Sequence, residues 1–489
     1  MMLYRMLCRS LACNEPARRT AGELLAGALT AVVFYAEYIG LGVVLGGALP
    51  RPDGAALGTF MVIGAVLVNC LLGAALRQPL LAGPRAASIA VLVAGMKFSS
   101  SHAASALDEF AVAMTALAAM LMVAAAVQLA GLLPRVRAWV CCTSVGLRKG
   151  FIFSTAVGMV VGLGSAQLDG CLRVAPASAI FVVVCSLLAA LCWSGWCRMA
   201  IADPWRRSLA PLSLLIGVAM ACAGYHVMVA PAVVSGWCGT IGTPPPQGAV
   251  LPKLWLTAET LGIAQSSLPV WVWPVLVLLG ALLGLVLLLE SLSMLRESHH
   301  QTPPAQWGAH LKIRALANLL CALVGLACSS LAVVRTNALI ESGGRTQLAV
   351  LLHGMAIAAI LLFLNHWIGA VPDLAVAVAL LLFAIQMIDE DTRSLIWRAG
   401  YRAGARPHEV RQSWVFFLVV CVSVCCGAAL HYLGWGFGGG PLLALLAGTT
   451  WTGWRFMKQR RVLAHSRFQR APLPSIPLIS SQKRGDGLN

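Results

Sequence analysis

Charged residues are scarce in this sequence. Only 11% of its 489 residues are Asp, Glu, Lys or Arg, against roughly a quarter in ordinary globular domains. So few charges cannot cover a surface that faces water on all sides, which excludes a soluble enzyme and a disordered scaffold. Apolar residues make up 59% of the chain, as expected for a polytopic membrane protein that uses nearly its whole length in one bundle of helices.

Acidic residues are scarcer still, since 18 Asp and Glu stand against 35 Lys and Arg and give a net charge of +17. The positions of the basic residues indicate membrane topology and no nucleic-acid partner. With the N-terminus inside, 29 of the 35 lie on the cytoplasmic side (among them Lys312 and Arg314), four lie in outer loops and two lie within the membrane. This distribution follows the positive-inside rule. It predicts a multi-pass protein of the cell membrane, with the bacterial inner membrane as the expected location and both termini cytoplasmic.

Motifs of membrane-embedded enzymes are also missing, because no span carries His-Glu-x-x-His, Gly-x-Ser-x-Gly or a pair of Asp residues. The sixteen Cys lie mostly inside apolar runs, so we expect small packing residues and neither a disulfide framework nor a zinc site. The sequence therefore predicts a protein that is not an enzyme and holds no cofactor or metal.

Fourteen apolar stretches qualify as spans, seven on each side of a Pro- and Gly-rich loop. They lie near residues 21–46, 55–75, 80–97, 110–133, 145–165, 177–197 and 208–229, and then near 270–295, 313–329, 331–343, 347–370, 373–389, 413–434 and 440–457. An odd number of spans gives the two halves opposite orientations. The fold class is thus an all-α polytopic membrane protein of two inverted seven-segment repeats (21–229 and 270–457). Cytoplasmic tails at 1–20 and 458–489 flank this domain of residues 21–457.

The third span of each half is short and interrupted. Broken helices at matching positions of inverted repeats indicate a binding site at the membrane midplane, since their free N-termini attract anions. These two spans also carry the two basic residues that lie within the membrane. The candidate substrate-binding residues are Gly83, Pro84, Arg85, Ala86 and Ala87 in the first half, and Val334, Arg335 and Thr336 in the second.

Two acids, Glu37 and Glu290, lie in the first span of each half and are candidates for ion coupling. An ionisable group at this depth is costly and functional by default. Structural roles stay open beside this one: Arg335 could pair permanently with Glu341 or Glu290, and Glu290 could be the partner of either arginine. Arg85 could add positive potential for a divalent anion or act as an internal counter-ion of an acid.

Several of these segments resemble the sulfate permease (SulP) family of anion transporters. Residues 81–87 (Leu-Ala-Gly-Pro-Arg-Ala-Ala) resemble its third-helix signature, and residues 335–349 resemble its tenth helix. Shorter similarities occur at 23–27, 289–292 and 315–318. The resemblance implies a core domain of spans 1–4 and 8–11, a gate domain of spans 5–7 and 12–14, and an anion held between the N-termini of spans 3 and 10. It also associates Glu37 with proton coupling.

Two departures from the family pattern bear on the substrate. Arg85 stands where Gly-Pro is usually followed by Thr, and Val334 stands where a small polar residue often precedes the arginine. The family's cytoplasmic STAS domain is expected to be absent. We expect a secondary transporter of sulfate or a small dicarboxylate, working by elevator-type alternating access in the lipid bilayer, with a proton or sodium ion as possible coupling ion and a homodimer as the assembly. The alternatives are a nucleobase permease of the same architecture, against which the basic residues argue, and a non-transporting anion sensor.

Overall fold

A computed structural model describes residues 15–199, 212–230, 258–297, 304–396 and 407–432, apart from 52, 77, 106–107, 142–143, 159, 161–164, 369, 387 and 389–391. Its helices are, in chain order, α1 (Glu15–Gly46), α2 (Gly54–Gly73), α3 (Ala86–Ser100), α4 (Glu109–Ala130), α5 (Pro134–Cys141), α6 (Val145–Gly158), α7 (Ser165–Val174), α8 (Pro176–Met199), α9 (Leu212–Gly224), α10 (Ala258–Ser267), α11 (Val272–Glu297), α12 (Trp307–Val324), α13 (Val333–Glu341), α14 (Gln347–Ile368), α15 (Asp373–Gln386) and α16 (Pro407–Tyr432). A π-helix (Tyr225–Val229) continues α9, and a 3-10 turn (Pro304–Gln306) precedes α12. Two short strands, β1 (Ala82–Gly83) and β2 (Ser330–Leu331), complete the described elements.

Local sequence accounts for where many of these helices begin and why they persist. Proline opens α5, α8 and α16, at the position where its missing N–H would have no intrahelical partner. The α4 segment has neither Gly nor Pro and is built mainly of Ala, Leu, Met and Val. In lipid, a helix is the form in which such a chain can satisfy all its backbone groups by itself.

Seven described helices are long and apolar enough to cross a membrane, and three shorter apolar helices accompany them. The predicted spans coincide with described helices throughout the chain, except that the span near 440–457 lies outside the described residues. Three helices were not predicted as separate elements, namely α5, α7 and α10. Each is only eight to ten residues long and lies outside the predicted spans or at an end of one.

Helix packing follows the inverted-repeat arrangement. The first helix of one repeat lies along the fourth span of the other, because α1 packs on α14 and α11 packs on α4. This reciprocal exchange is expected when two repeats are related by a two-fold axis in the membrane plane. The prediction of an all-α fold with inverted repeats is therefore confirmed, with the two short strands as the described exception.

The helices form two groups by their contacts. In the first, the core group, α1–α4 and α11–α14 pack together. In the second, the gate group, α16 packs on α6, and α9 packs on α8 and α15. Contacts between the two groups run mainly through α1, which touches α9 and α15.

The chain breaks its helices where the two repeats meet. α12 ends at Gly325, whose φ of 72° and ψ of 37° lie in the left-handed region that glycine adopts without a steric penalty. The chain then runs extended into β2, and Asn318 fixes this segment: its side-chain oxygen accepts from the Ser329 N–H at 2.8 Å and its amide donates to the Ser329 carbonyl at 3.1 Å. Gln128 Oε1 accepts a further bond from Asn318 at 2.8 Å. The approach to the second broken helix is therefore rigidly held.

The expectation for the cysteines is wrong at one position. Cys171 forms a disulfide, whereas Cys70, Cys321 and Cys328 are buried thiols as the apolar runs predicted. Cys171 belongs to α7, which lies between two predicted spans, so the argument from apolar runs does not apply to it. Within the described residues, no group of three or more His, Cys, Asp or Glu is arranged to hold a metal ion.

Candidate anion-binding site

The two broken helices meet through a two-residue antiparallel ladder. Ala82 pairs with Leu331, and Gly83 pairs with Ser330. Beyond the ladder, the Leu81 carbonyl accepts from the Ala332 N–H at 3.0 Å. The chain then turns into α3 on one side and into α13 on the other, so the N-termini of both helices lie at the same junction.

Proline and threonine shape this junction. Pro84 restricts the residue before it to extended backbone, and Arg85 after it is also extended, with φ −129° and ψ 157°. The Arg85 N–H donates to Ser88 Oγ at 3.2 Å, which starts α3. On the other side, the hydroxyl of Thr336 accepts from the Leu81 N–H at 3.0 Å and so ties α13 to the opposite strand.

Arg335 lies fully buried at the start of α13 and is held by three acceptors. Its Nε and Nη2 form a two-pronged ion pair with the carboxylate of Glu37 on α1, and the Nε to Oε2 distance is 3.1 Å. Nη2 also donates to the Pro84 carbonyl at 2.6 Å. The guanidinium carbon lies 4.6 Å from the ring centre of Tyr38, a cation–π contact.

One nitrogen of Arg335, Nη1, is buried and has no hydrogen-bond partner in the described structure. It lies against Gly83, where an added Cβ would be only 2.5 Å from this nitrogen. Glycine at this position is what allows the guanidinium to approach the first broken helix, and it leaves a charged donor unused at the junction.

Arg85 and Glu290 form the second ion pair. Arg85 Nε lies 3.7 Å from Glu290 Oε1, and both side chains are almost fully buried. The second carboxylate oxygen of Glu290 accepts a short hydrogen bond from the hydroxyl of Ser330 on β2. The pairing is looser than that of Arg335 and Glu37, since it is a single contact at the long end of the ion-pair range.

A series of hydrogen-bonded, buried polar side chains lies next to the ion pair of Arg335 and Glu37. The hydroxyl of Tyr38 lies 3.2 Å from His353 Nε2 on α14, and Thr30 Oγ1 lies 3.0 Å from His353 Nδ1. Thr30 also donates to the Ala26 carbonyl at 2.7 Å. His353 is thus a satisfied buried histidine, and it fixes the ring of Tyr38 on which Arg335 lies.

The whole junction is formally neutral, because two guanidinium groups face two carboxylates. The backbone at the start of α13 adds positive potential, since its N-cap residue Ala332 provides no side-chain cap. Val334 is only partly buried there, whereas Ala86, Ala87 and Thr336 are buried. The arrangement can accept an anion if one carboxylate moves away or is protonated. The arginine that was paired with this carboxylate then has hydrogen-bond donors free for the anion.

The structure brings together all ten residues that the sequence predicted: residues 83–87 run from β1 into the start of α3, residues 334–336 lie at the start of α13, and the two acids lie on α1 and α11. Arg335 forms its ion pair with Glu37, and with neither Glu341 nor Glu290. Glu341 lies on the last turn of α13. Sequence reasoning did not find three supporting residues, Tyr38, Ser330 and His353. Their contacts join segments that are far apart in the sequence, so only the packed structure reveals them.

Glu23 has a structural role that the sequence did not indicate. Its two carboxylate oxygens accept from the backbone N–H groups of Arg345 and Thr346, at 2.9 and 3.3 Å. These residues directly precede α14, so Glu23 acts as a remote cap for that helix. Glu23 opens the segment 23–27 that resembles the family's first helix, and its carboxylate is buried.

The fold and the junction define a class of protein: helical membrane proteins in which two inverted repeats each contribute a broken helix, and the two broken helices face each other. The model of the Sulfate permease family matches residues 262–402, a segment that contains Glu290, β2 and α13. This match confirms the family resemblance that was predicted from the sequence. No curated protein matches the chain.

Solved structures share the fold over most of the chain. The transmembrane domain of the bicarbonate transporter BicA from a cyanobacterium superposes with a TM-score of 0.59 and 17% identity, over 88% of this chain and 98% of that one. SLC26A9 gives a TM-score of 0.56 and 14% identity, over 88% of this chain and 64% of that one. The murine anion transporter Slc26a9 in its inward-facing state gives 0.58 and 14%, over 89% and 68%. What these chains share is the architecture of the transmembrane domain.

Proposed function

We propose that this protein is a secondary transporter of small anions in the cell membrane, with both termini in the cytoplasm. Its binding site is the junction of β1, β2, α3 and α13. Residues 83–87 and 334–336 surround the anion, and Arg335 provides the charged donor. Movement of the core group against the gate group exposes this junction to the two sides of the membrane in turn.

The buried Nη1 of Arg335 is the observation that carries this proposal. A charged donor without an acceptor is costly inside a protein, and this one lies where two helix N-termini meet. An anion at this position would accept from Nη1 and face the positive ends of both helix dipoles. A permanent structural role would need no open donor, since Glu37 and Pro84 already hold the other side of the guanidinium.

The neutrality of the junction supports coupling to a cation. Adding sulfate or a dicarboxylate to two closed ion pairs leaves two excess negative charges in a buried site, which is unfavourable. A proton on Glu37 would remove one of these charges and release the Arg335 fork at the same time. We therefore assign proton coupling to Glu37 and a supporting role to Glu290, whose contact with Arg85 is looser.

An uptake panel in proteoliposomes tests the function. Purified protein is offered labelled sulfate, chloride, bicarbonate, fumarate, succinate and uracil, each with and without an inward proton or sodium gradient. Sulfate or a dicarboxylate is the expected substrate, with faster uptake in the proton gradient. Uptake of bicarbonate, the ion that BicA transports, would keep the anion class and change the substrate. Uptake of uracil without any anion would refute the proposal and favour a nucleobase permease.

A further inference from the structure

A third buried arginine, Arg314, lies away from this junction, on α12. Arg314 lies on the side predicted to be cytoplasmic, and its side chain has no exposed surface. Nη1 donates to Asn69 Oδ1 on α2 at 2.6 Å. Nε and Nη2 are both buried and have no hydrogen-bond partner in the described structure.

The charge of Arg314 has no matching carboxylate. Arg85 and Arg335 each face a buried carboxylate, whereas Arg314 takes part in no ion pair among the described residues. Asn69 supplies only neutral oxygens, because besides Oδ1 its backbone carbonyl accepts from Nη1 at 3.4 Å. The orientation of its side chain is fixed, since the amide donates to the Ala65 carbonyl at 2.8 Å. The C-terminal end of α2 adds about half a negative charge, which leaves the guanidinium partly uncompensated.

The open edge of Arg314 is the one that binds oxyanions. Nε and Nη2 point the same way and form the fork that grips two oxygens of one planar or tetrahedral group. Arg335 uses this same edge to hold both oxygens of Glu37. In Arg314 neither Nε nor Nη2 has an acceptor in the described structure. Gly73 lies close to this edge, since an added Cβ would be 3.0 Å from Nη2.

A neighbouring histidine extends the polar surroundings. His310 lies one turn before Arg314 on the same face of α12 and is fully buried. Its Nε2 lies 2.9 Å from Gln78 Oε1, and its Nδ1 has no partner in the described structure. Gln78 follows the end of α2, so these groups connect Arg314 to the side of the protein where α2 ends and α12 begins.

We propose that Arg314 binds a small oxyanion at a second site, separate from the transport junction. The fork of Nε and Nη2 holds two oxygens of the ion, and Asn69 orients the guanidinium. On the topology proposed above, the ion enters from the cytoplasm. This site requires no transport to be detected, because it is a matter of equilibrium binding.

Selenate is a suitable probe, since it is a small oxyanion whose selenium can be located by anomalous diffraction. Crystals of the full-length protein soaked in selenate are expected to show a selenium peak beside Nε and Nη2 of Arg314. Arg314→Gln should remove this peak and leave any peak at Arg335 in place. The exposed Lys312, two residues away on α12, provides the matched control, because Lys312→Gln should change neither peak.

Thermal unfolding of the purified protein gives the second measurement. Stabilisation by sulfate or selenate, at constant ionic strength against a bulky sulfonate, should contain a saturable component that Arg314→Gln weakens at least tenfold. If Arg314→Gln does not fold, Gly73→Ala crowds Nη2 and should weaken the same component while leaving the charge in place. A missing selenium peak at a saturating concentration, or a stabilisation that neither variant changes, would overturn the proposal even if anion transport is established.

Discussion

Replacing Glu37 by Gln tests how the closed site opens. Glutamine is nearly isosteric and stands for the protonated carboxyl, yet it cannot accept from Nε and Nη2 of Arg335 at once. The fork that Glu37 now occupies would then be available to the transported anion. We expect tighter anion binding together with loss of the response to a proton gradient.

The size of the effect follows from the bonds that change. A hydrogen bond to a charged group contributes about 1.5–3 kcal/mol. Since each 1.4 kcal/mol corresponds to about a factor of ten, releasing one such bond for the anion predicts an affinity gain of about ten- to a hundredfold. The same change leaves Arg335 without its counter-charge, which destabilises the protein by about 3 kcal/mol when no anion is present. Anion should therefore stabilise Glu37→Gln more than it stabilises the parent protein.

Two assays read these outcomes. Thermal unfolding with increasing anion gives the apparent affinity and the stability without anion, and uptake into proteoliposomes with and without an inward proton gradient gives the coupling. Unchanged affinity, with uptake that still accelerates in the gradient as in the parent, would refute this reasoning. Glu37 would then be only the structural partner of Arg335, and coupling would pass to Glu290.

Three further changes test the geometry around the junction. Gly83→Ala places a methyl group 2.5 Å from Arg335 Nη1, so uptake should fall at least tenfold while the protein still folds. Glu290→Gln should raise the anion affinity less than Glu37→Gln does, because its contact with Arg85 is single and 3.7 Å long. Glu23→Gln weakens the cap of α14 and should cost about 0.5–2 kcal/mol of stability, seen as a lower unfolding temperature with the substrate preference unchanged.

Matched controls exist for these variants. Gly195 has no atom within 4 Å of an added Cβ, so Gly195→Ala should leave uptake unchanged. Asp169→Asn removes an exposed carboxylate that pairs with Arg173 and should change neither affinity nor stability by much. Uptake by Gly83→Ala at the parent's rate, or equal effects of Asp169→Asn and Glu23→Gln, would contradict the geometric account.

Much of the junction could be predicted because its chemistry is unusual for a membrane span. Arg85 and Arg335 are charged residues in apolar surroundings, and Gly83 followed by Pro84 predicts a broken helix. Their matching positions in two inverted halves are enough to predict that they meet. The motif at residues 81–87 and its counterpart at 335–349 carried the family resemblance in the same way.

The partners of these charges could not be predicted. Glu37 and Arg335 are 298 positions apart in the chain, and the sequence left Arg335 equally free to pair with Glu341 or Glu290. Which carboxylate reaches which arginine depends on the packing of α1 and α11 against the junction. The burial of Arg314 could not be predicted for a related reason: a basic residue near a span end normally lies in water, and only the approach of α2 buries it.

The central claim, that Arg335 binds the transported anion, is tested most directly by removing its ion pair as a whole. Arg335→Ala/Glu37→Ala deletes both charges, so no unpaired charge remains in the membrane. Its control, Arg51→Ala/Asp53→Ala, deletes an exposed pair that is joined by the same two-pronged contact. We expect the half-saturating anion concentration for uptake to rise at least tenfold in the first variant and to stay at the parent's value in the second. An unchanged half-saturating concentration in a folded Arg335→Ala/Glu37→Ala protein would contradict the claim.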